Sequence, residues 1–157
     1  MLDFGCGIGT YTLPTATIVG GKGKVYALDK DKRAIDQLMH RAGLAGVNNI
    51  TRMDTRWQSK ISLDNDYIDA TLLFDVLHSY YFTTAERIRL LKEVHRISKT
   101  EALVLVYPKH MYTDIVDEIE NCNFHLESKY TGIIVHDRTN LEEGQILIFK
   151  KKREDKK

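Results

Sequence analysis

The sequence predicts an α/β protein built on a doubly wound, mostly parallel sheet of seven strands. Three observations carry that expectation. Apolar runs alternate with amphipathic segments of helical period through the body of the chain. The first run, residues 1–4, passes directly into a turn with glycine at positions 5, 7 and 9, and then into a helix start. A second short apolar run ends in an acid, Asp29, about 20 residues after those glycines, where an open α/β sheet turns a carboxylate toward its ligand crevice.

Each element follows from local signals. Residues 10–19 (TYTLPTATIV) read as the first helix, with Pro14 near its first turn, where a missing N–H costs little. Gly20, Gly21 and Gly23 end it. Residues 24–29 form the second strand. Asp31 is an N-cap for the second helix, whose apolar face is Ile35, Leu38, Met39 and Ala42, with Gly43 or Gly46 as its stop. Residues 49–53 make a third strand, followed by Asp54 and Thr55; residues 56–66 are loop-like, with Trp57 their only large apolar side chain.

Residues 67–73 (YIDATLL) form a fourth strand that runs into Phe74 and on to His78; so apolar a run fits a strand buried on both faces. Thr84 is expected to cap a helix over 85–98, with Ile88, Leu91, Val94 and Ile97 inward and Arg87, Lys92, Glu93 and Arg96 outward. The fifth strand spans 101–107 and closes at Pro108, and 111–121 form another amphipathic helix. Two strands, 124–130 (extended by 133–135) and 145–150, end the sheet. No helix separates them, so one is antiparallel. Residues 1–150 thus make one domain, and the charged tail 151–157 (KKREDKK) is expected to be disordered.

Composition sets the outer bounds. The chain has 157 residues, 43% hydrophobic and 29% charged, as in an ordinary soluble domain. A formal net charge of +1 gives no reason to expect nucleic acid as a partner. No apolar run approaches the roughly 20 residues of a membrane span, so no membrane partner and a cytoplasmic location are expected. Two cysteines, Cys6 and Cys122, build neither a disulfide framework nor a zinc site on their own, and no metal ligand set is read from the sequence.

The glycine turn is the centre of the functional reading. With the dinucleotide pattern G-x-G-x-x-G counted from Gly5, the third glycine falls on Thr10; counted from Gly7, it falls on Thr12. The pattern present is D-x-G-x-G-x-G, with Asp3 two residues before the first glycine. A carboxylate there repels a pyrophosphate but suits an ammonium or sulfonium centre. This stretch resembles motif I of the class I methyltransferases that use S-adenosylmethionine (SAM), and the resemblance extends from residue 2 to about 150.

That resemblance implies the strand order 3-2-1-4-5-7-6 with strand 7 antiparallel. It also implies a cofactor site: Gly5, Gly7 and Gly9 along the methionine part, Asp3 and the Phe74 backbone at its ammonium, Asp29 at the ribose, and Asp54 and Thr55 at the adenine, with Phe4, Cys6 and Lys30 also in contact with the cofactor. Tyr11, His78 and Tyr81 fall where the family forms its acceptor pocket. His78 is the candidate general base, weighed against a supporting role in the pocket. Cys6 is read as a small residue fitted close to the ligand rather than a reactive thiolate.

The expected activity is methyl transfer to a small-molecule acceptor. The resembled family usually carries one or two helices ahead of its first strand, and this sequence starts without them. A non-catalytic or subunit-dependent SAM-binding domain is therefore the alternative expectation. The short first strand leads to the expectation of a marginally stable or associating protein, a homo-oligomer being one form of that association. A nicotinamide-dependent oxidoreductase is a further rival, opposed by the failed glycine register.

Overall fold

A short first strand, β1 (Leu2–Phe4), lies between two parallel neighbours, β2 (Val25–Leu28) and β4 (Ile68–Phe74). The computed structural model describes residues 1–53, 60–111, 115–136 and 139–153. Beside β2 runs β3 (Ile50–Met53), and beyond β4 come β5 (Ser98–Tyr107), β7 (Asn140–Lys151) and β6 (Phe124–His136). The seven-stranded sheet has the order β3-β2-β1-β4-β5-β7-β6, and β7 runs antiparallel to both of its neighbours. The expected order and strand directions are those observed.

Strand alternation divides the core between the two faces. On β2, Val25 and Ala27 pack with Ala16 of α1 (Thr12–Val19) and with Ile35, Leu38 and Ala42 of α2 (Lys32–Leu44). Leu28, one position out of phase, joins Leu2 and Phe4 on the opposite face, with Leu91, Val94 and Ile97 of α3 (Thr84–Ile97) and Ile115 and Ile119 of α4 (Ile115–Glu120). Each fully buried Leu or Ile side chain contributes roughly 1.5–3 kcal/mol. Among the described residues no helix is long and apolar enough to cross a membrane.

Several boundaries differ from expectation for identifiable reasons. The cap of α3 is Thr83 rather than Thr84: its side chain accepts the Glu86 N–H while the Glu86 carboxylate accepts the Thr83 N–H, a reciprocal box that needs an acid three residues on. Arg87, expected outside, is 3% exposed. Its guanidinium forks onto Glu118 of α4, Nε to Oε2 at 2.8 Å and Nη2 to Oε1 at 2.6 Å, and donates to the Phe82 carbonyl. Lys151 is not part of a loose tail. It is the last residue of β7, pairs with Phe124, and donates to the Ser98 carbonyl at 2.7 Å and to Asp66 at 2.8 Å.

The last two strands are longer than the apolar pattern suggested. β7 pairs with β5 only from Leu147 to Lys150, whereas its pairing with β6 continues to Asn140 opposite His136. The far part of this hairpin therefore overhangs the sheet, at the end where the parallel strands finish.

Candidate active site

The glycine turn is built from backbone geometry. Gly9 has φ +88°, and a Cβ on it would lie 2.2 Å from Leu38 Cδ1, so only glycine lets the turn sit against α2. Gly7 faces open space: a Cβ there would meet nothing within 4 Å. Its N–H is held instead by Asp29, whose Oδ2 accepts it at 2.8 Å. The other oxygen of Asp29 accepts the Asp31 N–H at 2.8 Å, and Asp31 caps α2. One carboxylate at the end of β2 thus fixes both the turn and the start of the next helix.

Asp3 stands behind the turn. It is 3% exposed and accepts the Thr12 hydroxyl at 2.6 Å, which ties β1 to the first residue of α1. Burial pushes its carboxyl up to about 6, opposed in part by the Thr12 hydrogen bond, and the nearby Asp29 charge pushes the same way as burial. Cys6 is buried, and burial pushes its thiol far above the ordinary range, which leaves it a small apolar filler.

A cavity of about 470 Å³ opens over the turn. Gly5, Cys6, Gly7 and Asp29 line it together with Tyr11, Phe74, Asp75, Tyr81, Tyr107 and His136. A smaller hollow of about 130 Å³ shares Gly5, Asp29, Asp75 and Tyr81 with it and adds Lys30, whose ammonium lies 3.8 Å from the centre of the Tyr81 ring. Phe74 and Tyr11 meet edge to face, ring centres 4.6 Å apart at 83°. Of the sequence-predicted site residues, Gly5, Cys6, Gly7, Asp29, Phe74, Tyr11 and Tyr81 line the larger cavity. Asp3, Phe4 and Gly9 lie behind that surface, and Asp54 and Thr55 fall outside the described residues.

His78 packs under Tyr81, ring centres 4.4 Å apart, and is 7% exposed. It does not line the cavity, and its carbonyl accepts the Tyr81 and Phe82 N–H groups. Burial holds its imidazole below the usual histidine range, while Asp75 pulls the other way. The histidine that does line the cavity is His136, whose Nε2 lies 3.2 Å from Asp75 Oδ2.

Polar ties hold the overhanging hairpin in place. The Tyr11 hydroxyl donates to the Val135 carbonyl, and the Tyr107 hydroxyl and the Lys109 ammonium both donate to Glu142. Sequence reading missed Asp75, Tyr107, His136 and Glu142. Asp75 was legible in part, because it directly follows a buried strand on the side where the glycine turn lies.

Residues 1–101 match the model of the family described as "Methyltransferase domain". The chain belongs to that family. Its sheet order, with the antiparallel β7, is that of the class I methyltransferase fold. Across 70 residues it is 36% identical to a probable cobalt-precorrin-6B C(15)-methyltransferase (decarboxylating) of Saccharolobus solfataricus, covering 44% of this chain and 35% of that protein. The chain spans about a third of the length of the curated relatives it matches. In fold, the methyltransferase domain is similar to a SAM-dependent methyltransferase of Methanosarcina mazei, with TM-score 0.79, 20% identity, and coverage of 98% of this chain and 92% of that one. It is also similar to a magnesium protoporphyrin IX methyltransferase of Synechocystis with bound SAM, with TM-score 0.68, 22% identity, and coverage of 96% and 68%.

Proposed function

We propose that the domain binds SAM in the 470 Å³ cavity and transfers its methyl group to a small-molecule acceptor by in-line displacement. The observation that carries this reading is the Asp29–Gly7 hydrogen bond at the floor of that cavity, which sets a ribose-binding acid against an open glycine turn. The volume lies within the roughly 300–1,000 Å³ of small-molecule sites.

In this reading the methionine part lies along Gly5 and Gly7, Asp29 takes the ribose hydroxyls with Lys30 beside it, and Asp54 and Thr55 edge the adenine. Asp3 acts through Thr12, shaping the turn from behind. The acceptor enters by Tyr11, Tyr81, Tyr107 and His136, and His78 supports Tyr81 from below. The sulfonium is an activated leaving group, so the protein mainly aligns nucleophile, methyl carbon and sulfur, and excludes water. A relative and a structural neighbour named for cobalt-precorrin-6B and for magnesium protoporphyrin IX support a small-molecule acceptor.

Calorimetric titration of the whole chain with SAM, S-adenosylhomocysteine and NAD tests the cofactor, and label transfer from methyl-labelled SAM to a panel of small acceptors tests the reaction. Binding of both sulfur nucleosides without NAD, together with transfer, is expected. Binding of NAD alone, or of none of the three by the folded chain, overturns the reading. Binding without transfer to any acceptor favours a domain that binds the cofactor without turning it over.

A further inference from the structure

We propose that Asp75, His110 and His136 form a binding site for one divalent transition-metal ion of the zinc type, at the rim of the cavity that Asp75 and His136 line. One ligand atom from each of the three side chains lies within 4.8 Å of the other two. Asp75 Oδ2 and His136 Nε2 are 3.2 Å apart. Ligands about 2.0–2.1 Å from a tetrahedral zinc are separated by about 3.3 Å, so this pair already stands at the spacing of two ligands on one ion. His110 needs only a small approach to complete the set, and its side chain is exposed and can swing.

The three residues come from the ends of three different strands. Asp75 follows β4, with φ 54° and its N–H bonded to the Tyr107 carbonyl. His110 follows β5 just beyond Pro108, with φ 59°. His136 is the last residue of β6.

Surrounding groups fit the same chemistry. His136 Nδ1, the nitrogen turned away from Asp75, lies 3.8 Å from Glu142 Oε1, so a carboxylate stands near the imidazole without being hydrogen-bonded to it. Asp75 Oδ1 is buried with no hydrogen-bond partner among the described residues, 3.8 Å from His78 Nε2. Two imidazoles and one carboxylate favour zinc, cobalt or iron over magnesium or calcium, which prefer oxygen alone. Asp75 and His136 also line the cavity, so an ion held here would meet what enters it. The site rests on these side chains and not on the methyl-transfer reading.

The test uses the whole chain stripped of metal with a chelator, then titrated with Zn²⁺ against a chromogenic chelator and with Co²⁺ under visible absorption. One equivalent of Zn²⁺ and a Co²⁺ band in the d–d region are expected, with no competition from millimolar Mg²⁺. His110→Ala and His136→Ala should each weaken Zn²⁺ binding by about tenfold or more. The His110 side chain is exposed, so H110A should keep the circular dichroism spectrum and melting profile of the parent. Failure of the folded parent to bind Zn²⁺ stoichiometrically overturns the proposal. So does binding that survives both substitutions, which would locate the ion elsewhere.

Discussion

The carboxylate of Asp29 and the amide of Gly7 are joined by a 2.8 Å hydrogen bond that links the end of β2 to the glycine turn after β1. The same acid holds the start of α2 through Asp31. Asp29→Ala removes the acceptor from two backbone donors at once. A hydrogen bond to a charged group contributes about 1.5–3 kcal/mol, or roughly 10- to 100-fold in affinity where the ligand depends on it. Calorimetry with S-adenosylhomocysteine should show a loss of that size in D29A, and a smaller one in Asp29→Asn, which keeps one oxygen.

Asp3 makes stability depend on pH. The unfolded chain releases this proton near the ordinary value of 3.8 and the folded chain near 6, because burial disfavours the charge. Between those values the folded state binds more protons, so Asp3 favours folding as pH falls and weighs against it as pH rises through 6. The difference corresponds to roughly 3 kcal/mol at neutral pH. Urea unfolding of Asp3→Asn and the parent at pH 5 and pH 7.5 should show that the substitution flattens this slope and is relatively most favourable at the higher pH.

Arg87 and Glu118 staple α3 to α4 with two parallel hydrogen bonds in a largely buried setting. Arg87→Ala leaves Glu118 without its partner and exposes the Phe82 carbonyl to loss of its own donor. A cost of about 3 kcal/mol is expected from breaking such a pair. Arg87→Lys should recover only part of it, since an ammonium lacks the planar fork. Equilibrium urea denaturation gives both values.

Burial raises the thiols of Cys6 and Cys122, so neither is a ready nucleophile in the folded chain. Iodoacetamide at pH 8 should modify both quickly in urea and neither over the same interval in buffer, as read by intact mass. Rapid native labelling of Cys6 would mean either that reagent reaches the thiol from the cavity it lines or that the glycine turn opens despite its hydrogen bonds to Leu28 and Asp29.

The glycine turn with Asp29 was legible in the sequence because its parts lie within 30 residues and are signalled by glycine spacing and by acids that follow apolar runs. Gly5, Gly7 and Asp29 needed no long-range information to be placed together. The proposed metal site is assembled from the ends of β4, β5 and β6, and nothing local marks Asp75, His110 and His136 as neighbours. His78, the histidine that did stand out, occupies a buried place under Tyr81. Arg87 was misplaced for a related reason: periodicity grades a charged residue as outward and knows nothing of Glu118, 31 positions on. The β6–β7 hairpin was shortened because its overhanging part carries exposed Tyr130, Ile133 and Leu141, which blur the inward–outward alternation.

The overhang also divides the molecule's labour. Residues 1–101, which match the family, carry the glycine turn and Asp29, whereas Val135, His136 and Glu142 arrive on a projecting ribbon from the other third of the chain. Because β7 pairs with β5 only from Leu147 to Lys150, the ribbon beyond meets the parallel strands through side chains, Glu142 on Tyr107 and His136 on Asp75, rather than through the ladder. Under the proposed function, such a ribbon can change which acceptor is admitted while the glycine turn and Asp29 keep their own contacts, much as a lock can be rekeyed without rebuilding the door.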